Sequence, residues 1–151
     1  MAARIQNATS QPDVTAGVQH LFKAVYAGGV PPQTLELVHL RASQINGCSF
    51  CVNAGANNMT KAGVTPEKLS AVAAWYDSEL FDDPERAALA LTEAATRLAD
   101  RPGAVTDEIW AEATKHYNEE QLSALVLMIG VSNFFNRINT TLRVPPGTPY
   151  N

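Results

Sequence analysis

The sequence predicts an all-α protein of six to eight short helices, and three observations carry that expectation. No segment shows the strict alternation of a strand, and the valine and isoleucine residues fall at helical spacings instead. Proline or an acid behind a small polar residue recurs at the head of segment after segment, as in Thr65-Pro66-Glu67 and Asp83-Pro84-Glu85. The segments between are joined by short glycine- or proline-bearing loops, as a compact bundle requires.

From Asp13 to Ala27, Val14, Val18, Leu21, Phe22 and Val25 form one apolar stripe, and Gly28-Gly29 ends it. His20 lies beside the stripe as a boundary residue. Pro31-Pro32 starts a second helix, because proline is tolerated in the first turn, where its missing N–H is not needed. It runs to Asn46-Gly47 with Leu35, Leu37, Val38, Leu40 and Ile45 apolar and Glu36, His39 and Ser43 interspersed. Gly47 suits a left-handed cap, so a third helix can restart at Cys48 and continue to Ala62-Gly63.

Thr65 then caps a fourth helix ending near Trp75-Tyr76. Asp83-Pro84-Glu85 opens a fifth to about Asp100, where Pro102-Gly103 stops it, and Thr106 a sixth to His116-Tyr117. Asn118 with Gln121 is a capping-box variant that opens the last helix. From Leu122 to Phe135 that helix is apolar on nearly every side, which predicts burial by its own domain or by a second subunit. Asn133, Asn136, Arg137 and Asn139 make its far end polar, and the tail Pro145-Pro146-Gly147-Thr148-Pro149-Tyr150 cannot be helical.

At 151 residues the chain reads as one domain, 1–151, with a core of about 15–142 and a tail of 143–151. Charged residues are 17% and apolar residues 46%, a balance that suggests surface hidden in a homo-oligomer. A net charge of −4 without a lysine or arginine cluster gives no electrostatic footprint for nucleic acid or an anionic membrane. No apolar run has the length of a membrane span or a signal peptide, so the expected compartment is the cytoplasm.

The chemistry is concentrated between Glu36 and Gly63, around Cys48-Ser49-Phe50-Cys51, the chain's 2 cysteines. Two thiols three residues apart on a helix have Cα atoms roughly 5 to 6 Å apart, inside the disulfide window. In the first turn of a helix, unpaired N–H groups and the dipole lower a thiol's pKa, and a thiolate can attack a peroxide O–O bond and be resolved by its neighbour. The spacing gives a two-electron dithiol switch without naming its oxidant. Zinc would need two more ligands, and His20, His39 and His116 show no paired spacing. A thioredoxin-like site lacks its βαβ context, and two chemically idle cysteines are a third alternative.

Glu36-Leu37 followed by Ser43-x-Ile45-Asn46-Gly47-Cys48-x-x-Cys51 resembles the core motif of the alkylhydroperoxidase AhpD-like branch of the carboxymuconolactone decarboxylase family. Lys61-Ala62-Gly63, the run Leu80-Phe81-Asp82-Asp83-Pro84-Glu85-Arg86 and Asn136-Arg137-Ile138-Asn139 are similar as well, so the resemblance spans roughly residues 15 to 150. It implies an AhpD-like helical bundle assembled as trimers or hexamers, and a hydroperoxide-reducing enzyme with no cofactor or metal, regenerated by a dithiol or lipoyl-type protein reductant. By position, Cys51 is implied to attack the peroxide, Cys48 to resolve it and donate a proton, and Glu36 to serve the proton relay.

The family pattern places a histidine four residues after the second cysteine, and this chain has Gly55 there; Asn53 and Ala54 also depart from the usual acid and methionine. His39, one turn after Glu36, could stand in for the missing imidazole. The sequence alone leaves three functions open: the hydroperoxidase, a cofactor-free lactone decarboxylase of the same superfamily that would not need the cysteines, and a non-catalytic oligomeric redox sensor. It also predicts weak turnover that Gly55→His would raise, with a gain in stability of up to about 1 kcal/mol if the site has room for the ring.

Overall fold

The structure is a computed structural model that describes residues 2–5 and 11–148. Among these residues it has seven α-helices and no strand: α1 (Pro12–Ala27), α2 (Pro32–Asn46), α3 (Ser49–Lys61), α4 (Pro66–Ala71), α5 (Asp83–Thr96), α6 (Asp107–His116) and α7 (Glu119–Leu142), with a 3-10 turn, Val72–Asp77, after α4. The expected non-helical ending at Pro149 and Tyr150 lies outside the described residues, as does part of the N-terminal stretch searched for a signal peptide. No described helix is long and apolar enough to cross a membrane.

Asn118 with Gln121 closes the expected reciprocal capping box on α7. On α5 the cap falls one residue before the expected Asp83, at Asp82, which closes such a box with Glu85. Gly47 takes the left-handed conformation with φ 67° and returns its N–H to the carbonyls of Ser43 and Gln44, which ends α2 and lets the chain reverse into α3. Gly28 meets a different demand: a Cβ there would lie 2.5 Å from Ala124 Cβ, so only glycine lets the end of α1 approach α7 this closely.

The core sits on both sides of α2. Leu35 and Val38 face one cluster with Val25, Leu91, Leu125 and Met128, while Leu37 and Leu40 face another with Met59, Val72, Trp75 and Leu89. This double burial explains why α2 shows no clean apolar stripe in sequence. The helix is central, walled by α3, α5 and α7, and its few polar residues are thereby held inside the protein.

Two helix ends differ from the expected ones. The fourth helix is α only to Ala71, because Ala74 leaves helical geometry and turns Trp75 inward, where its indole N–H donates to Glu93 at 2.8 Å. α5 stops at Thr96 instead of Asp100, with the Arg97 N–H shared between the Glu93 and Ala94 carbonyls. The last helix runs to Leu142, and two residues of its expected polar far end, Asn136 and Asn139, prove to be buried while Arg137 is exposed. Those two asparagines help build the site described next.

α7 ends at Arg143, which is the described non-glycine residue with positive φ, at 56°. A Cβ in this region costs about 1 kcal/mol relative to glycine. Arg143→Gly is therefore expected to stabilise the protein by about 0.5–1 kcal/mol in urea unfolding; a loss of stability would mean that the arginine side chain contributes more than the backbone strain removes.

Candidate active site

Glu36 and the cysteines are separated by the length of α2, yet the reversal at Gly47 lays α3 back along α2 and brings them to one seam. Asn58, two turns beyond Cys51, donates to Glu36 Oε2 at 3.2 Å. The other carboxylate oxygen receives the Tyr26 hydroxyl at 2.5 Å. Burial and this bond to a carboxylate push the Tyr26 phenol above its usual range. Glu36 is 8% exposed, a buried acid with a donor on each oxygen.

His39 sits between Glu36 and the cysteine pair. Its Nδ1 lies 3.1 Å from Ser132 Oγ on α7. Burial lowers its pKa from the ordinary 6.5, against the opposing pull of the Glu36 charge and a hydrogen bond to the Cys51 backbone. The ring is therefore neutral at pH 7, within the field of the Glu36 charge and bonded to the helix carrying Cys51.

Gly55 explains how the ring fits. A Cβ at that position would stand 3.1 Å from His39 Cδ2, 3.4 Å from Leu40 Cβ and 3.5 Å from Leu40 Cα. His39 thus occupies the space beside position 55, across the seam from where the family pattern places its histidine. There is no room for a second ring without moving the first, which removes the condition on which a stabilising Gly55→His depended.

Cys48 and Cys51 stand at disulfide distance, S–S 2.14 Å with Cα atoms 5.3 Å apart. Both are 1% exposed and pack with Phe50 and Val144. The two sulfurs have different donors. Cys48 is the N-cap of α3, and its Sγ accepts the Cys51 backbone N–H at 3.2 Å. Cys51, inside the first turn, receives the Asn139 side-chain amide at 3.4 Å. The helix terminus therefore serves Cys48 through the backbone, whereas the sequence reading extended that activation to both cysteines of the first turn.

Ser132, Asn136 and Asn139 lie on one face of α7, at spacings of four and three residues. Ser132 meets His39, Asn136 bonds Ser43 at 3.0 Å and Asn46 at 2.8 Å, and Asn139 meets Cys51. Tyr26, Asn58, Ser132 and Asn139 are the site residues that sequence reasoning did not single out. Asn58 has a signal, being seven residues from Cys51 on the same helix, while Tyr26 has none, since it lies on a helix whose docking is settled by tertiary packing.

Two cavities flank the pair. One of about 340 Å³ lies between α1, α2, α3 and α7, with Val18, Phe22, Met128 and Phe135 on its apolar walls and Glu36 and His39 at its polar end. The other, about 320 Å³, is bounded by Gly47, Cys48, Asn139, Arg143 and Pro145. Among the described residues no group of three or more His, Cys, Asp or Glu could hold a metal ion. His20 is exposed, and His116 lies against Glu112, 3.4 Å away, on α6.

The sequence profile of the carboxymuconolactone decarboxylase family matches residues 12–94, more than half of the chain. The chain belongs to that family. It is 30% identical over 142 residues to the protein YdfG of Bacillus subtilis, covering 94% of this chain and 95% of that one. Identity to YnjA of Escherichia coli is 33% over 114 residues, or 76% of this chain and 61% of YnjA. Among solved structures, a protein of unknown function from Agrobacterium tumefaciens, linked by name to AhpD and antioxidant defence, superposes with a TM-score of 0.88 at 28% identity, over 98% of this chain and 100% of that one. The debrominase Bmp8 superposes with a TM-score of 0.79 at 25% identity, over 91% of this chain and 73% of Bmp8. The AhpD-like fold expected from the sequence is therefore present, and a protein named as a debrominase has a similar fold.

Proposed function

We propose that the protein reduces hydroperoxides through Cys48 and Cys51, with His39 and Glu36 as its proton relay. The observation that carries this reading is His39: it fills the space beside Gly55, touches the Cys51 backbone and is held neutral, so the relay imidazole is moved across the seam, not lost. The Cys51 thiolate attacks one peroxide oxygen, the O–O bond breaks, and the alcohol leaves with a proton that the relay returns. The Cys48 thiolate then displaces hydroxide from the Cys51 sulfenic acid, forming the disulfide and releasing water after protonation. A dithiol or lipoyl-type reductant restores both thiols.

A second reading has its own support. The 340 Å³ cavity is walled by Phe22 and Phe135, stacked at 6.1 Å between centroids, and the fold is that of a debrominase. The same dithiol could give two electrons to a halogenated aromatic, replacing halogen by hydrogen with release of halide. Reduced protein mixed with cumene hydroperoxide or with a bromophenol, followed by thiol titration, separates the two. Stoichiometric thiol loss and alcohol from the hydroperoxide is the expected result; loss with bromide release alone would favour the second reading, and loss with neither would leave a scaffold without either activity. The lactone decarboxylase reading makes no use of the pair, so Cys51→Ser would leave that activity intact.

We also place the protein in a homo-oligomer, a trimer or hexamer, in the cytoplasm. Val126, Leu127 and Phe134 on the outer face of α7 are 45%, 41% and 46% exposed in the single chain, an apolar stripe that a second copy would cover. Sedimentation is expected to give several times the 16.2 kDa of one chain, and a monomer at micromolar concentration would contradict it.

A further inference from the structure

We infer that Asn139 is a catalytic residue of the dithiol cycle: its side-chain amide holds negative charge on Cys51 Sγ, so that the disulfide opens by attack on Cys48 with Cys51 as the leaving group. The inference rests on the dithiol reading above but on none of its oxidants. Its starting point is that the two sulfurs take their donors from different places. The backbone already supplies one to Cys48, and that supply survives any side-chain change on α7. Cys51 has an amide from another helix, held by tertiary packing. A hydrogen bond donated to a thiolate stabilises the charged form, and a sulfur whose thiolate is stabilised leaves faster in thiol–disulfide exchange.

Asn139 is built to stay in place. It is 6% exposed, in the last turns of α7, and its own carbonyl accepts the Val144 N–H at 3.0 Å, which folds Val144 onto the cysteine cluster. Access distinguishes the two sulfurs. Cys48 borders the 320 Å³ cavity beside the tail, and Cys51 borders neither flanking cavity. A thiolate entering there meets Cys48 first.

The charged and titratable groups around Cys51 leave the amide a clear task. From α2, His39 approaches as a neutral ring, with Glu36 beyond it; α3 carries no charged side chain before Lys61; Arg143, after α7, borders the cavity on the Cys48 side. None of these donates to Cys51 Sγ from a fixed position as Asn139 does. In the step itself, the reductant's thiolate forms a bond to Cys48 Sγ, the Cys48–Cys51 bond breaks, and its electron pair remains on Cys51 Sγ, facing the Asn139 amide. The second thiol of a dithiol donor, after losing its proton, then attacks the donor's own sulfur in the mixed disulfide and releases the Cys48 thiolate.

Two measurements test this, and neither contains peroxide or halide, so they fail separately from the proposed activity. In reduced Cys48→Ser protein, the ultraviolet absorbance of the Cys51 thiolate is followed against pH, with and without Asn139→Leu. The midpoint is expected to rise by about one unit, a tenfold loss of thiolate at a fixed pH below it. Asn139→Asp has the same shape and replaces a donor by an acceptor, so it should raise the midpoint further even if the leucine variant folds poorly. In the Cys51→Ser background, Asn139→Leu should leave the Cys48 midpoint where it is. An unmoved Cys51 midpoint, or equal shifts of both cysteines, overturns the assignment. The second measurement uses the unaltered oxidised protein, treated with excess 2-mercaptoethanol, quenched in acid and mapped by mass spectrometry. The adduct is expected on Cys48; an adduct on Cys51 overturns the direction of opening.

Discussion

His39→Ala is expected to slow hydroperoxide reduction by about 10²-fold while leaving both thiols able to form their disulfide. The estimate is the low end of what a positioned acid or base contributes to a proton transfer, since helix geometry and the Asn139 amide remain. The pH profile is the sharper readout. Burial holds the His39 pKa below 6.5, so the wild-type rate should hold as pH falls past 6.5 and drop only lower, as the imidazole takes a proton. That acid limb should be absent from His39→Ala. The same shift has a stability consequence of definite sign. The unfolded histidine binds a proton near 6.5 and the folded one only at lower pH, so its contribution is fully present above 6.5 and is lost as pH falls through the folded pKa. An alanine variant with wild-type turnover and an unchanged acid limb would remove His39 from the relay.

Gly55→His should have the opposite effect from the one a motif comparison suggests. A Cβ alone presses to 3.1 Å from the His39 ring and 3.4 Å from Leu40, so a full imidazole must displace His39 or push the two helices apart. Overpacking of this kind costs about 1–3 kcal/mol, and the displaced His39 takes most of the turnover with it. The double variant Gly55→His with His39→Ala is the informative one. It vacates one side of the seam and fills the other, so turnover should recover well above that of His39→Ala alone. Thermal melts and initial rates on the four proteins form a cycle in which the two changes are strongly non-additive. Additive effects would show that positions 39 and 55 do not share one space.

The features legible in sequence were those set by local chemistry. Asn118, Thr65 and Gly47 announce helix ends because caps and left-handed turns demand particular residues within a few positions, and on α5 the cap lay one residue from the expected Asp83. The cysteine pair was equally visible, since its spacing is its geometry. Glu36 was placed at the site only by resemblance, because the fold-back at Gly47 that brings it to Asn58 is tertiary. The role of Asn139 was hidden for a different reason. Four polar residues from Asn133 to Asn139 look like a helix running out into solvent, and only the packing of α7 against α2 and α3 shows that Asn136 and Asn139 are buried with partners waiting. Gly55 read in sequence as a missing imidazole, and the structure puts the His39 ring, from the neighbouring helix, in the space beside it.

The face of α7 that carries Ser132, Asn136 and Asn139 makes that helix a ruler. Each residue advances the helix by 100°, so the three side chains reach His39, the Ser43–Asn46 pair and Cys51 only while their count from one another is kept. A one-residue insertion or deletion between Ser132 and Asn139 would leave α7 helical and apolar, yet swing either the imidazole's partner or the sulfur's partner out of the seam. The segment therefore depends on both the identity of Ser132, Asn136 and Asn139 and the count between them. Between Ser132 and Asn139 a change of length would thus cost the seam its partners even where every substitution elsewhere on the helix is tolerated by its packing.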